Sequence, residues 1–213
     1  MKFIKKTFQI SCDGGASTGK STGAKIISKK FHLKFLSSGL LYRYASFLII
    51  KHKPKNKIKF LKLKFKNLNY SKLSKYNLHT PGNSKFTSTI ARSYSIREIL
   101  KKYQIHFSKI NKYCCIEGRD ISTKILPNSD IKFYFKCKLN IAAIRRYKEL
   151  KKEIPNINLR DVKKALRMRN ISDTNRKNSP LLKHRDSIVI DTGKLNKKAM
   201  IAKMTKHIKE KLR

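Results

Sequence analysis

The chain has 213 residues and a formal net charge of +41, from 53 Lys and Arg against 12 Asp and Glu. This length can bury one α/β core, and no apolar run approaches the roughly 20 residues that span a membrane. The lysines are spread along the chain instead of forming a block, so we interpret the charge as solvated surface, with a dedicated nucleic-acid patch as the alternative.

The first predicted strand, Phe8 to Cys12, leads into small residues with the spacing of a phosphate-binding loop. Gly14, four further residues and then Gly19-Lys20-Ser21 match the P-loop pattern in full. Glycines let backbone N–H groups curl around a phosphate, and the helix that starts at Lys20 points its positive end there. Lys20 adds a mobile cation for the phosphates, and the Ser21 hydroxyl can ligate Mg²⁺. The stretch predicts binding of a nucleoside triphosphate with Mg²⁺, and a Gly-rich turn before a helix is the alternative. The predicted phosphate-binding set is Gly14, Gly15, Ala16, Ser17, Thr18, Gly19, Lys20, Ser21 and Thr22.

The next predicted elements are a helix from Lys20 to Phe31, a strand from Lys34 to Leu36, and a helix from about Leu40 to Ile50 that Ser37-Ser38-Gly39 caps. Arg43 lies one turn into this last helix, where it could grip an anion bound at the helix start.

The segment from Lys51 to Lys85 is very basic, and its lysines alternate with apolar residues. Alternation predicts one or two strands, which we assign to a small inserted lobe. Thr80 to Asn83 is a predicted turn. A helical pattern follows from Thr87 to Phe107. Ser88 and Arg97 are nine residues apart within it, so they can face one ligand only if the helix breaks, and Ser93 to Ser95 are the poor helix formers where it could.

The second half of the chain alternates predicted strands and helices. Tyr113 to Ile116 is a buried strand that ends in Glu117-Gly118-Arg119-Asp120, at the sheet edge where α/β folds bind ligands. The remaining elements are a strand from Ile131 to Cys137, helices from Asn140 to Leu150 and from Leu159 to about Asn170, a polar loop with Asp173 and Arg176, a strand from Ser187 to Asp191, and a helix from Lys194 to Leu212. Five strands that alternate with helices predict a parallel sheet covered on both faces.

The motifs beside the P-loop narrow the class of protein. The Asp-x-x-Gly and Asn-Lys-x-Asp patterns of a GTPase do not occur in the sequence, and helicases or transporter ATPases are normally longer. A small kinase remains, because phosphoryl transfer needs a P-loop, Mg²⁺ and arginines more than a base. Lys outnumbers Arg by 41 to 12, so each Arg, whose rigid fork grips phosphate, stands out from the lysine bias.

At these motifs the chain resembles the bacterial-type cytidylate kinases, which are P-loop nucleoside monophosphate kinases. Five stretches carry the resemblance: Asp13 to Thr22, Ser38-Gly-Leu-Leu-Tyr-Arg43, Ser88 through Glu98, Glu117 to Asp120, and Arg169 through Leu181. The resemblance implies an α/β, P-loop three-layer fold with a five-stranded parallel sheet. It further implies one kinase domain over residues 1–213, with a monophosphate-binding lobe over residues 38–107 and a short lid over residues 167–180.

The function that the resemblance implies is transfer of the γ-phosphate of ATP to CMP, and to dCMP, giving ADP and CDP in pyrimidine nucleotide metabolism. The alternatives are another small-molecule P-loop kinase, for UMP or shikimate, and a nucleic-acid-binding P-loop ATPase. ATP with Mg²⁺ and CMP or dCMP are then the partners, and we expect a monomer with no specific nucleic acid and no membrane. We expect a cytoplasmic protein, because the apolar run within Met1 to Lys6 is too short for a signal peptide and the four cysteines lack C-x-x-C spacing.

The resemblance also implies roles for individual residues. Cytosine is expected to contact Ser38, Ser88, Arg97 and Asp120. The acceptor phosphate is expected to bind Arg43, Arg119 and Arg176, and the ribose hydroxyls are expected to bind Asp173. The expected catalytic residues are Lys20, Arg119, Arg169 and Arg176, and the candidates for closing over the donor phosphates are Arg145, Arg146, Arg167 and Arg169. The chain departs from the family pattern in its lid, which has Asn170, Ile171, Ser172 and Thr174 where arginines and acids are frequent, and at Glu117, where Asp is usual.

Three alternatives stay open at the level of sequence. Asp13 could cap the P-loop turn or lie in the Mg²⁺ shell. Glu117 could be a buried partner of Lys20 or Ser21, or an outer-shell metal ligand. Arg145 and Arg146 are adjacent on one predicted helix, so both cannot face the same ligand.

Overall fold

A computed structural model describes residues 6–212 of the chain. The expectation about a signal peptide concerns Met1 to Lys6 and so lies almost wholly outside the described residues. The chain forms two compact units. The first comprises the chain up to Phe35 and from Lys112 onward, and the second runs from Leu36 to Asn111.

The sheet has five strands in the order β2-β3-β1-β4-β5. The strands are β1 Phe8–Gly14, β2 Lys34–Ser37, β3 Tyr113–Gly118, β4 Ile131–Lys136 and β5 Ile188–Asp191. β1 pairs in parallel with β3 and with β4, and β4 pairs in parallel with β5. The predicted five-stranded parallel sheet is therefore confirmed, and its central strand is the one that leads into the P-loop.

The described residues form eight α-helices, one 3-10 helix over Tyr70–Lys75 and one π-helical turn over Ile121–Ile125. The α-helices are α1 Lys20–Lys30, α2 Ser38–His52, α3 Lys57–Lys66, α4 Pro81–Ile90, α5 Tyr94–Ile110, α6 Leu139–Leu150, α7 Leu159–Asn175 and α8 Lys197–Leu212. Between residues 6 and 212, no helix is both long enough and apolar enough to cross a membrane.

The core of the first unit follows from strand alternation in β1. Phe8, Ile10 and Cys12 point to one face, where they pack with apolar residues of β4, α1 and α8. Ser11 and Asp13 therefore point to the other face, and both are buried there with polar partners. The central strand thus buries its apolar side chains on one face and carries a polar pair on the other, next to the P-loop.

Two predictions for the second unit are wrong. The segment predicted as strands contains α3 and the 3-10 helix instead. Leu61 and Phe65 are buried at a spacing of four residues, which is one helical turn, and Asn56 caps α3 by accepting from the Lys59 N–H. The predicted turn at Thr80 to Asn83 is the start of α4, where the Thr80 hydroxyl accepts from the Asn83 N–H.

The second unit contains a helix break, which lies at Ala91 to Ser93 and so begins slightly before Ser93 to Ser95, where the sequence allowed it. α4 ends at Ile90 and α5 begins at Tyr94, and the Ser93 hydroxyl accepts from the Ile96 N–H as the cap of α5. Serine is a poor residue for a helix interior and a good one for an N-cap, because its hydroxyl competes for backbone N–H groups.

The end of α7 also differs from the prediction. The helix continues past Asn170 to Asn175, so Asp173 lies on the helix and not in a loop, and Arg176 is the residue at which the helix ends. The polar run Asn170 to Asn175 suggested a loop because Asn, Ser, Asp and Thr favour turns. In the structure the segment is held as helix by contacts of Asn170 and Asp173 to other elements.

Candidate active site

The P-loop connects β1 to α1 through a strained backbone. Ser17 and Gly19 have positive φ values of 55° and 79°. Gly14 has φ 150°, and a Cβ there would lie 2.3 Å from the carbonyl oxygen of Phe135, so this position accepts only glycine. Among the described residues no side chain caps the start of α1. The first backbone N–H groups of α1 are therefore left for an anion, as a phosphate site requires.

The P-loop is braced from the last strand of the sheet. The Thr192 hydroxyl donates to the carbonyl oxygen of Thr18 at 2.8 Å. Arg145 of α6 donates in turn to the hydroxyl and to the carbonyl oxygen of Thr192, at 2.9 and 2.7 Å. Arg146 instead pairs with Glu149 on the exposed side of α6. The two adjacent arginines thus face different partners, as their spacing predicts, and Arg145 is the one beside the P-loop.

Sequence reasoning missed Thr192. It directly follows β5, at the carboxyl edge of a parallel sheet, where ligand sites form. That position is the signal that could have found it. Gly193 and Asp191 flank it, and the side chain of Asp191 accepts from the Gly193 N–H at 3.0 Å, which closes a tight turn after the strand.

Lys20 forms a buried ion pair with Glu117. The Lys20 Nζ atom lies 2.8 Å from Oε2 of Glu117, with side-chain exposures of 8% and 4%. Burial lowers the pKa of Lys20, and the charge of Glu117 opposes that shift. Glu117 is the buried partner of Lys20 in the structure, which is one of the roles that the sequence left open for it. The pair holds the cation of the P-loop in place beside the end of β3.

Asp13 hydrogen-bonds a turn that is distant in the sequence instead of capping the P-loop turn. Its Oδ1 atom accepts from the Ile121 N–H at 2.8 Å, and its Oδ2 atom accepts from the N–H and the hydroxyl of Ser122 at 2.7 and 2.6 Å. Burial raises the pKa of Asp13, and the hydrogen bonds from Ser122 and Ile121 oppose that shift. Asp13 therefore caps the π-helical turn that follows Asp120.

Arginines and acids converge in the first unit at the end of β3 and the end of α7. Arg119 Nε donates to Asp173 Oδ2 at 2.9 Å, and Arg176 Nη1 donates to Asp173 Oδ1 at 3.4 Å. Arg176 Nη2 lies 3.8 Å from Oδ1 of Asp120. The structure thus brings together four predicted site residues, Arg119, Asp120, Asp173 and Arg176.

The electrostatics of this cluster favour an ionised carboxylate at Asp173. Burial alone would raise the pKa of Asp173, but the charges of Arg119, Arg169 and Arg176 together hold it below its usual value. The charge of Arg169 also acts on Lys20, whose pKa it lowers. Arg169 therefore lies within electrostatic reach of both the P-loop lysine and the arginine cluster, and such a set of cations can neutralise phosphate oxygens.

The other four residues that were predicted to bind CMP belong to the second unit. Ser38 is buried at the start of α2. Arg43 Nη1 donates to the Ser84 hydroxyl at 2.6 Å, and Ser88 Oγ donates to the carbonyl oxygen of Ser84 at 3.4 Å. Ser84 of α4 thus connects Arg43 to the turn of helix that carries Ser88.

Arg97 is buried in the second unit at the first turn of α5. Its Nη1 donates to the carbonyl oxygen of Ala91 at 3.3 Å, and its guanidinium carbon lies 5.5 Å from the centre of the Tyr42 ring. Ala91 lies in the break between α4 and α5, so Arg97 stabilises the break and packs against α2.

No group of three His, Cys, Asp or Glu side chains that could hold a metal occurs within residues 6–212. Mg²⁺ takes one or two protein oxygens and completes its shell with phosphate oxygens and water. Ser21 is exposed at the start of α1, so its hydroxyl is available as such an oxygen.

A P-loop that follows the central strand of a parallel five-stranded sheet defines an α/β P-loop fold. Two solved structures share it: TT1252 from Thermus thermophilus (TM-score 0.54, 14% identity, 98% of this chain and 100% of that one) and shikimate kinase from Bacteroides thetaiotaomicron (TM-score 0.51, 9% identity, 96% and 97%). At these identities they show the fold alone.

Sequence similarity identifies the family within that fold. The family model for cytidylate kinase matches residues 10–210. The chain is 33% identical to a cytidylate kinase of Rickettsia africae over 210 residues, covering 98% of this chain and 95% of that protein. It is 35% identical to a cytidylate kinase of Bartonella tribocorum over 203 residues, covering 92% of each. The chain belongs to the cytidylate kinase family.

Proposed function

We propose that this protein transfers the γ-phosphate of ATP to CMP, and to dCMP, giving ADP and CDP or dCDP. The observation that carries the proposal is membership of the cytidylate kinase family over residues 10–210. The alternative acceptors UMP and shikimate have no comparable support, since the likeness to shikimate kinase extends to the fold only. A nucleic-acid-binding ATPase is favoured only by the net charge of +41.

The donor phosphates bind the P-loop, residues Gly14 to Thr22. This assignment is supported by the uncapped start of α1 and by the cation of Lys20, which Glu117 holds at the loop. Lys20 contacts the β- and γ-phosphates and stabilises negative charge as the phosphoryl group leaves ADP. Arg169 adds positive charge at the same place, and the brace from Thr192 keeps the loop in shape.

We assign Mg²⁺ to Ser21, whose exposed hydroxyl at the start of α1 supplies one hard oxygen ligand. When bound, Mg²⁺ neutralises phosphate charge and orients the phosphate chain. Because Glu117 is paired with Lys20 at 2.8 Å, its role in this scheme is to position the lysine.

The first unit supplies four of the acceptor contacts in this proposal. Arg119 and Arg176 hold the acceptor phosphate, Asp120 accepts from the 4-amino group of cytosine, and Asp173 binds the ribose hydroxyls. Support comes from the cluster of these four side chains in the first unit. Asp173 also fixes the two arginines by accepting from both, so they are oriented before a phosphate arrives.

For the second unit, we assign CMP contacts to Ser38, Arg43, Ser88 and Arg97. We assign residues 38–107 as the monophosphate-binding lobe and residues 167–180 as the lid. The lobe is supported by the compactness of residues 36–111 and the lid by the position of Asn170 against the P-loop. All four cysteines are free thiols, as is typical of a reducing compartment, so we assign the enzyme to the cytoplasm. We also propose that it is a monomer without a specific nucleic-acid partner.

A coupled assay of ADP release tests the proposed function. The acceptors are CMP, dCMP, UMP, AMP and shikimate, each with ATP and Mg²⁺, and a parallel arm replaces the acceptor with single-stranded RNA. We expect turnover with CMP and dCMP at least about a hundredfold above that with UMP in kcat/KM, and none with shikimate. RNA-stimulated ATP hydrolysis with no turnover of CMP would overturn the proposal.

A further inference from the structure

Asp13 is a buried carboxylate between the central strand and the P-loop, and it has no role in the proposed function. Its exposure is 1%, and it stands one residue before Gly14, where the P-loop begins. A carboxylate removed from water at this depth needs several hydrogen bonds to offset its lost hydration. The hydrogen-bond partners of Asp13 therefore indicate its role.

Both oxygens of Asp13 are directed at one short turn. Oδ1 accepts from the Ile121 N–H, and Oδ2 accepts from the Ser122 N–H and hydroxyl, all three at 2.6 to 2.8 Å. Ile121 and Ser122 open the π-helical turn Ile121–Ile125 and are themselves 0% and 1% exposed. These are charge-assisted hydrogen bonds, which are shorter and stronger than those between neutral groups.

The same residue also fixes the chain on the other side of that turn. In the parallel pairing of β1 with β3, Asp13 stands opposite Gly118. Only Arg119 and Asp120 lie between Gly118 and Ile121. The two residues are therefore held from both sides by Asp13, through its backbone register before them and through its side chain after them.

We propose that Asp13 is the positioning residue for Arg119 and Asp120, and that it ties the acceptor site to the strand that carries the P-loop. Asp13 contacts no substrate in this role, because its oxygens are occupied by the turn. The inference rests on the proposed function, in which Asp120 binds cytosine and Arg119 binds the acceptor phosphate.

Asp13→Asn tests the inference with little change in size. An amide can offer its oxygen to one of the two backbone N–H groups, but its NH₂ group then faces the other donor. We expect the turn to shift, so that KM for CMP rises about tenfold and the CMP-over-UMP ratio of kcat/KM falls about tenfold, as the loss of charge-assisted hydrogen bonds allows. KM for ATP should change by less than about threefold, because the P-loop backbone and Lys20 are untouched.

Ser11→Ala is the matched control. Ser11 lies two residues earlier on the same face of β1, is 0% exposed and hydrogen-bonds Ser129 at 2.9 Å. Its loss should lower the free energy of unfolding without changing the CMP-over-UMP ratio. A ratio that falls equally in Ser11→Ala and Asp13→Asn would mean that general loosening of β1 is responsible, and it would overturn the inference.

Ser122→Ala is the second variant, since it removes only the hydroxyl donor to Oδ2 and keeps both backbone bonds. We expect a smaller effect in the same direction, a fall of about threefold in the CMP-over-UMP ratio. If Asp13→Asn does not fold, Ser122→Ala provides the test, and an unchanged CMP-over-UMP ratio of kcat/KM in that variant overturns the inference. The proposed function fails separately, if the wild type itself shows no preference for CMP.

Discussion

Among single residues, Lys20 is paired with Glu117, so its replacement should affect both kcat and the free energy of unfolding. Lys20→Ala removes a charge that strengthens its contact as the phosphoryl group transfers, so we expect kcat to fall on the order of a thousandfold. It also leaves Glu117, with 4% side-chain exposure, as an unpaired buried charge, which costs about 3–5 kcal/mol of stability.

The double variant Lys20→Ala with Glu117→Gln separates the two effects. It should regain most of the lost stability, measured by chemical denaturation, while kcat stays low. Lys25→Ala, an exposed lysine of the same helix, serves as the control and should leave both quantities near the wild-type values. A Lys20→Ala protein that keeps most of its kcat would contradict the role of the P-loop lysine.

Asn170 gives a second prediction for a single residue. Its Oδ1 atom accepts from the Ala16 N–H of the P-loop at 3.2 Å, and it is the nearest atom, at 3.3 Å, to a Cβ placed on Gly15. Asn170→Asp puts a negative charge at this place, where it repels the donor phosphates. We expect KM for ATP to rise by about tenfold, which corresponds to about 1.4 kcal/mol.

Asn170→Ala is the control, because it removes the amide without adding charge, and it should change KM for ATP by less than about threefold. Equal values of KM for ATP in the Asp and Ala variants would show that no phosphate charge approaches Asn170. The measurement is KM for ATP at saturating CMP.

Local patterns in the sequence locate candidate site residues, but they do not give the hydrogen-bond partners of those residues. Gly14 to Thr22 and Glu117 to Asp120 follow from local patterns at the ends of strands. The partners of Asp13 could not be predicted, because Ile121 and Ser122 are more than a hundred residues away and meet it only through the pairing of β1 with β3. Thr192 was missed for the same reason, since the Thr18 carbonyl that it contacts is distant in the chain.

At the scale of elements, the strands and most helices were predictable, and the basic segment of the second unit was not. Lysines alternate with apolar residues from Lys57 to Lys64, which is the pattern of a half-exposed strand. The structure forms α3 there, because the buried pair Leu61 and Phe65 is one helical turn apart and lysine is a good helix former. Short alternating runs fit both periods, so tertiary packing decided the outcome.

A pair of leucines distinguishes helix from strand in this segment. In a strand Leu61 and Leu63 would share a face, but in α3 Leu61 is 0% exposed and Leu63 is 69% exposed. Leu61→Ala should therefore lower the free energy of unfolding by about 2–5 kcal/mol, and Leu63→Ala should change it by less than about 0.5 kcal/mol. Equal losses from the two substitutions, measured by urea denaturation, would contradict the helix.

The contact of α7 with the end of β3 predicts a dependence of stability on pH. Arg119, Arg169 and Arg176 hold the pKa of Asp173 below its usual value, so the ionised carboxylate stabilises the folded state at any pH above the unfolded pKa of about 3.9. We expect Asp173→Asn to lower the free energy of unfolding by about 1–3 kcal/mol at pH 7. The difference should begin to shrink below about pH 4, where Asp173 becomes protonated in the unfolded chain, and it should be lost at the lower pH where the folded protein is protonated as well.

The control for this prediction is Glu149→Gln, which removes a surface ion pair with Arg146. That pair should contribute less than about 1 kcal/mol at any pH. A difference between wild type and Asp173→Asn that stays constant from pH 7 to pH 3 would show that the Asp173 carboxylate is not stabilised by the three arginines.

At the scale of the whole molecule, the charge of +41 is compatible with an enzyme of small nucleotides. The chemistry that we propose for the first unit depends on a few buried groups, Lys20 with Glu117 and Asp173 with Arg119 and Arg176. The many lysines are mostly exposed, where solvent and salt screen them. A compositional excess of lysine can therefore change the surface without changing the site.

We propose that the acceptor site distinguishes cytosine from uracil by a carboxylate. Asp120 is 5% exposed, at the end of β3 and 3.8 Å from a nitrogen of Arg176. A buried carboxylate accepts from the 4-amino group of cytosine, whereas the 4-carbonyl group of uracil would face it with no hydrogen to share. Asp120→Asn can offer an N–H to that carbonyl, so it should lose most of the preference.

The role of Asp120 is tested by measuring kcat/KM for CMP and for UMP in the wild type and in Asp120→Asn. We predict that the wild type prefers CMP by roughly a hundredfold or more, and that the variant uses the two within about tenfold, with KM for ATP near the wild-type value. Equal use of CMP and UMP by the wild type, or an unchanged ratio in Asp120→Asn, would contradict the account.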